Sequence, residues 1–149
     1  MISPCKAAQF LFVLYTPMFS IQPPVSELPA SLDFHGRTVL VTGANGGLGR
    51  TACLHYLQHN ASTLIIAVRR LPEGEAVKSE LLAHPYVKNK EDQPKILVYE
   101  LDLSSHSSVT AFVSRLQAEI PRLHIALLNA GIYSLDWKVS PHTGKEMTF

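Results

Sequence analysis

The chain is predicted to be an α/β protein built on a parallel, doubly wound sheet. Three observations predict it: four short apolar runs, helical periodicity between them, and a glycine-rich turn, Thr42-Gly43-Ala44-Asn45-Gly46-Gly47-Leu48-Gly49, directly after the first run. Strands covered on both faces read as continuous apolar runs, and parallel pairing of consecutive strands requires crossover connections such as helices. Right-handed crossovers then leave ligand space outside the carboxyl ends of the strands.

Thr38 to Thr42 contains Val39-Leu40-Val41 and stops at glycine, the pattern of a buried strand. From Gly47 to about His59, Leu48, Ala52, Cys53, Tyr56 and Leu57 keep helical spacing, so strand, turn and helix are contiguous. Thr63 to Val68 is a second apolar strand. Pro72 suits a first helical position and Glu73 and Glu75 suit a first turn, which predicts a helix to about Ala83. The polar piece His84 to Pro94 reads as a surface excursion before a third strand, Lys95 to Leu101. Ser104 or Ser105 can cap the next helix, where Val109, Phe112, Val113, Leu116 and Ile120 line one face. Ile125 to Leu128 is the fourth strand, and it ends at Asn129-Ala130-Gly131.

At 149 residues the chain has room for one packed domain. Its 13 Lys and Arg against 12 Asp and Glu leave a formal charge of +1, which supplies no electrostatic basis for a nucleic-acid partner or an anionic membrane. Cys5 and Cys53 are the only cysteines, so neither a disulfide framework nor a thiolate metal site is expected, and a reducing, cytoplasmic compartment fits. The seven histidines show no metal-ligand spacing and read as surface or packing residues, so no metal site is expected.

The stretch Ala7 to Ile21 is apolar but interrupted by Gln9, Thr16, Pro17 and Ser20. A bilayer-spanning helix needs about 20 mostly apolar residues. A short amphipathic helix lying on the body or on a membrane surface is therefore expected for residues 7–21, with an anchor or a targeting segment as alternatives. Pro23-Pro24 and Pro29 make Ile21 to Ser31 an extended linker. The expected organisation is residues 1–31 as apolar segment and linker, and 32–149 as a dinucleotide-binding domain.

A pyrophosphate needs close backbone approach and unpaired N–H groups, and glycines at a strand-to-helix turn supply both. Gly43 is expected to allow the sharp turn, Gly47 the close approach, and Gly49 the packing of helix on sheet. A nucleoside-triphosphate loop needs four residues between its glycines and then Lys-Ser/Thr, whereas five separate Gly43 from Gly49 and Arg50-Thr51 follow. The adenosine ribose is read at the end of the second strand, where a carboxylate accepts from a 2′-hydroxyl. Here the strand ends Ala67-Val68-Arg69-Arg70, and the Arg69 guanidinium can hold a 2′-phosphate instead. The expected cofactor is NADP in preference to NAD.

Thr42 to Gly49, Asp102-Leu103 after the third strand and Asn129-Ala130-Gly131 after the fourth resemble the short-chain dehydrogenase/reductase family from about Gly36 to Ile132. The T-G-x-x-x-G-x-G pattern is matched in full, while the usual N-N-A-G stands here as Leu128-Asn129-Ala130-Gly131. Ala67-Val68-Arg69, Asp102-Leu103-Ser104-Ser105 and the Leu-Asn-Ala-Gly form are most similar to the retinol-dehydrogenase-like and fungal secondary-metabolism members. The resemblance implies a Rossmann-type fold and oxidoreduction of a small-molecule alcohol or carbonyl substrate. Its implied cofactor-binding set is Gly43, Asn45, Gly47, Leu48, Gly49, Arg69, Asp102, Leu103, Asn129, Ala130 and Gly131. Within that set Asp102 would contact adenine with Leu103 beside it, and Asn129, Ala130 and Gly131 would support the fourth strand and the nicotinamide ribose.

In the family a serine after the fifth strand and a Tyr-x-x-x-Lys on the following helix carry the chemistry. This chain ends at Phe149 ahead of those elements, so a truncated chain without a catalytic residue is expected. Tyr86 and Lys90 match the spacing but precede the third strand, and are read as coincidence. Tyr133 and Lys138 are five apart, and Ser134 and Ser140 follow no fifth strand. The alternative function is a non-catalytic nucleotide-binding or interaction module. If strand order follows the family, the fourth strand is an exposed edge, which calls for a covering partner such as a second copy in a homo-oligomer.

Overall fold

The computed structural model describes residues 26, 28, 29, 31–132, 137–140, 144 and 145. Cys5, the apolar segment 7–21, Tyr133 and Ser134 lie outside the described residues. The chain separates into two units, Met1–Ser31 and Leu32–Phe149, and the second is described below.

Four strands, β1 (Thr38–Thr42), β2 (Thr63–Val68), β3 (Lys95–Glu100) and β4 (Ile125–Leu127), alternate with four helices, α1 (Gly47–Gln58), α2 (Leu71–Ala83), α3 (Pro85–Lys88) and α4 (His106–Glu119). All pairings are parallel and the spatial order is β3-β2-β1-β4. Alternate side chains of each strand point to opposite faces. Val39, Val41, Leu64, Ile66 and Val68 meet Cys53 and Leu57 of α1 and Val77 and Leu81 of α2. Leu40, Ile65, Ala67 and Tyr99 meet Phe112 of α4 on the other face. Complete burial of such a side chain stabilises by roughly 1.5–3 kcal/mol. Coverage of both faces is why the strands read as continuous apolar runs.

Helix boundaries follow local chemistry. Glycine 46 is the N-cap of α1, in extended backbone and without a side-chain acceptor. Helix α2 begins at Leu71, so Pro72 takes the second helical position rather than the first; a missing N–H is tolerated at either, since neither has an intrahelical partner. Of the two candidate caps for α4, Ser105 does the capping, its Oγ accepting from Ser108 N–H at 3.4 Å. Tyr99 fastens α4 to β3: its hydroxyl donates to Glu119 Oε2 at 2.7 Å, and Arg115 stacks 4.1 Å from the ring centroid. Burial, with Glu119 beside it, pushes the Tyr99 phenol up to about 12.

The surface excursion expected over His84 to Pro94 is mostly exposed, with one departure. Pro85–Lys88 is a helical turn, and Val87 on it is completely buried within the α1/α2 face of the core. One apolar residue among polar neighbours carries no periodicity, so only the packing reveals the turn. The third and fourth strands each end one residue earlier than expected, at Glu100 and Leu127.

Among the described residues β4 pairs only with β1 and stands at one edge of the sheet. Ile125 and Leu127 are half-buried, while Ala126 is exposed and Leu128 is 78% exposed. Its entry is held by His124, whose Nδ1 accepts from Thr38 N–H at 2.9 Å while its own N–H donates to Thr38 O at 3.0 Å.

Candidate functional site

Parallel register brings the carboxyl ends of the strands to one edge: Thr42 lies opposite Ala67, Ala67 opposite Tyr99, and Val41 opposite Leu127. The residues that follow each strand, Gly43, Arg69, Asp102 and Asn129, therefore share that edge.

Gly43 has φ +65°, and a Cβ there would stand 2.9 Å from Ala130 Cα, so both the turn and the contact require glycine. Gly49 is buried, and a Cβ on it would stand 2.5 Å from Gly43 O and 2.6 Å from Asn129 Nδ2. These two glycines carry the tight packing. Gly46 and Gly47 instead have open space where a side chain would be, with Gly47 at φ +51°. With no side-chain cap and no acidic residue in its first turn, α1 has no side-chain acceptor on its leading N–H groups among the described residues. Such an end carries partial positive charge, and with open space beside Gly46 and Gly47 it is a candidate anion site.

The end of β4 is pinned to this turn. Asn129 Nδ2 donates to Thr42 O at 3.2 Å and to Gly43 O at 3.3 Å, and Ala130 N–H donates to Thr42 Oγ1 at 3.0 Å. The Asn129 amide thus ties the end of β4 to the glycine turn. Thr42, 3% exposed, holds Ala130 through its hydroxyl, a contact that its place at the head of the glycine motif did not foretell. Gly131 is exposed, with open space around it.

Asp102 sits in an ordered turn ahead of α4. Its Oδ1 accepts from Ser104 N–H at 2.9 Å and Ser104 Oγ at 2.7 Å, and its N–H donates to Ser108 Oγ at 2.9 Å. Leu48 and Leu103 are 82% and 56% exposed, apolar surface flanking the same edge.

An open cleft at the ends of β2 and β3 is lined by Arg69, Arg70, Leu71, Pro72, Glu73 and Glu100. Arg70 forms an ion pair with Glu73, which also accepts from Asn45 Nδ2 at 3.1 Å. Arg69 is exposed and makes no hydrogen bond or ion pair with the described residues. Glu73 is a second residue that the sequence reading placed only as a helix-start signal.

Tyr86 and Lys90 lie elsewhere. Lys90 Nζ donates to Leu57 O and to Asn60 Oδ1, each at 2.6 Å, closing the carboxyl end of α1. Tyr86 is exposed and stacks on His84 with centroids 5.6 Å apart. The pair is structural, and α1 separates it from the glycine turn.

Comparison with known proteins agrees with this geometry. A family model described as short chain dehydrogenase matches residues 37–147. The short chain dehydrogenase macD of Penicillium terrestre is 42% identical over 112 residues, 75% of this chain and 34% of that protein. The short-chain dehydrogenase fogG of Aspergillus ruber is 39% identical over 145 residues, 97% of this chain and 39% of that protein. Among solved structures, the Pseudomonas aeruginosa RhlG/NADP active-site complex superposes with a TM-score of 0.57 at 25% identity, covering 68% of this chain and 37% of that one. The chain thus spans between a third and two-fifths of the length of these relatives.

Proposed function

The chain belongs to the short-chain dehydrogenase/reductase family, and on that premise we propose that it forms the cofactor-binding part of an NADP-dependent oxidoreductase. The substrate class is a small-molecule alcohol or carbonyl compound in secondary-metabolite biosynthesis, a reading supported by the fungal short-chain dehydrogenases it resembles. Those relatives favour an oxidoreductase over a non-catalytic binding module.

The observation that carries the cofactor choice is Arg69. It stands exposed at the carboxyl end of β2, with no partner among the described residues, while the adjacent Arg70 is occupied by Glu73. A guanidinium at this position binds the 2′-phosphate that distinguishes NADP from NAD. Gly46, Gly47 and the start of α1 would receive the pyrophosphate, the Asp102 and Leu103 turn the adenine, and Asn129, Ala130 and Gly131 the nicotinamide side. When bound, the nicotinamide ring gives or takes hydride. The chain's own residues bind and orient it.

Arg69→Asp tests the assignment by titrating NADPH and NADH separately. A charge-assisted hydrogen bond contributes about 1.5–3 kcal/mol, so the NADPH/NADH affinity ratio is expected to fall roughly ten- to hundredfold. An unchanged ratio sinks the NADP assignment.

A further inference from the structure

We propose that Glu73 is a selectivity and positioning residue: its carboxylate restrains how strongly the cleft favours a 2′-phosphate, while tying the glycine turn to the end of β2. The inference rests on reading the cleft beside Arg69 as the place of the adenosine ribose.

Glu73 makes two contacts that link segments distant in sequence. It accepts from Asn45 Nδ2, inside the glycine turn, at 3.1 Å, and it pairs with Arg70 at the end of β2. Its place is set by the backbone. Gly74, the next residue, is buried where a Cβ would collide with the side chains of Val68 and Val98, so the first turn of α2 lies directly on β2 and β3. The half-buried Glu73 is thereby held over the cleft, its side chain 32% exposed against 76% for Arg70.

The charges around the cleft are then two guanidinium groups, Arg69 and Arg70, and two carboxylates, Glu73 and Glu100. Glu73 neutralises one guanidinium and opposes an incoming phosphate dianion. The contact with Asn45 has no part in charge selection: it anchors Asn45, and through Asn45 the turn that receives the pyrophosphate. A glutamate kept only for the first turn of a helix would favour α2 through its dipole. Such a role would leave the choice between the two cofactors unaffected.

Glu73→Gln separates the effects, because the amide oxygen still accepts from Asn45 while the charge is gone and Arg70 is released. NADPH is expected to bind roughly two- to fivefold more tightly, the range typical of an exposed charge pair, with NADH unchanged. Glu73→Ala should shift the NADPH/NADH ratio in the same direction while weakening both cofactors, because Asn45 loses its partner. Equal changes for both cofactors in Glu73→Gln, no change, or weaker NADPH binding would overturn the inference. Arg69→Asp run alongside keeps the two readings apart. If Arg69→Asp moves the ratio and Glu73→Gln does not, the cofactor assignment stands and the role of Glu73 falls. If only Glu73→Gln moves it, Glu73 acts through Arg70 and the assignment to Arg69 falls.

Discussion

Gly49→Ala probes the joint on which the site depends. The added methyl would stand 2.5 Å from Gly43 O and 2.6 Å from Asn129 Nδ2, well inside van der Waals contact. Overpacking of this kind costs about 1–3 kcal/mol, and the carbonyl, being backbone, has no rotamer through which to retreat. If the Asn129 amide swings aside, it gives up its bonds to Thr42 O and Gly43 O, each with a net contribution of about 1 kcal/mol. Against this, alanine in place of glycine in a helix gains ~1 kcal/mol. The net expectation is a destabilisation of roughly 1–3 kcal/mol, a melting midpoint lower by about 4–15 °C in circular dichroism. Gly131→Ala is the control: its Cβ meets nothing within 4 Å, so its change should stay within about 0.5 kcal/mol. A Gly49→Ala protein that melts at or above the wild-type temperature would refute the packing argument, and with it the claim that Asn129 fastens β4 to the turn.

Two further outcomes follow from the same edge of the sheet and from its opposite end. Gly46→Asp supplies the missing cap of α1 and should raise stability by a few tenths of a kcal/mol, yet weaken NADPH and NADH together by about tenfold or more; parallel changes in melting and affinity would contradict it. His124 gives a pH dependence. Its Nδ1 must be unprotonated to accept from Thr38, and burial, reinforced by Arg122 and Arg37, lowers its pKa below the ordinary 6.5. The neutral form is favoured in the folded state, so this contribution is complete above pH 6.5 and is lost as pH falls from there through the depressed folded value. A His124→Phe variant should lose that acid-side slope in denaturant melts at pH 5 to 8, and an unaltered slope would show that the ring does not titrate with folding.

How far the sequence reveals this molecule depends on the range of the interaction concerned. Each strand and long helix is encoded within a dozen neighbouring residues: Val39-Leu40-Val41 before a glycine, or Val109, Phe112 and Leu116 along one face, report burial through their own spacing. The glycines at 43, 47 and 49 are legible because a sharp strand-to-helix turn with positive φ and close backbone contacts tolerates little else. The atoms that confine them are not legible, since Gly43 and Gly49 are held by Ala130 and Asn129, residues that only the β1 to β4 pairing brings close. The partners of Thr42 and Asn45 lie 88 and 28 positions away, so no local window contains those bonds. Val87 is hidden for the related reason that one buried residue has no period. Residues that meet a cofactor are thus constrained by chemistry that shows in their type, whereas those that hold them are constrained by register. Any polar residue of suitable reach can serve in the second role, so type alone gives little warning of it. Arg69 and Arg70 show the consequence most plainly: identical and adjacent in sequence, they differ because the α2 backbone delivers Glu73 to one of them.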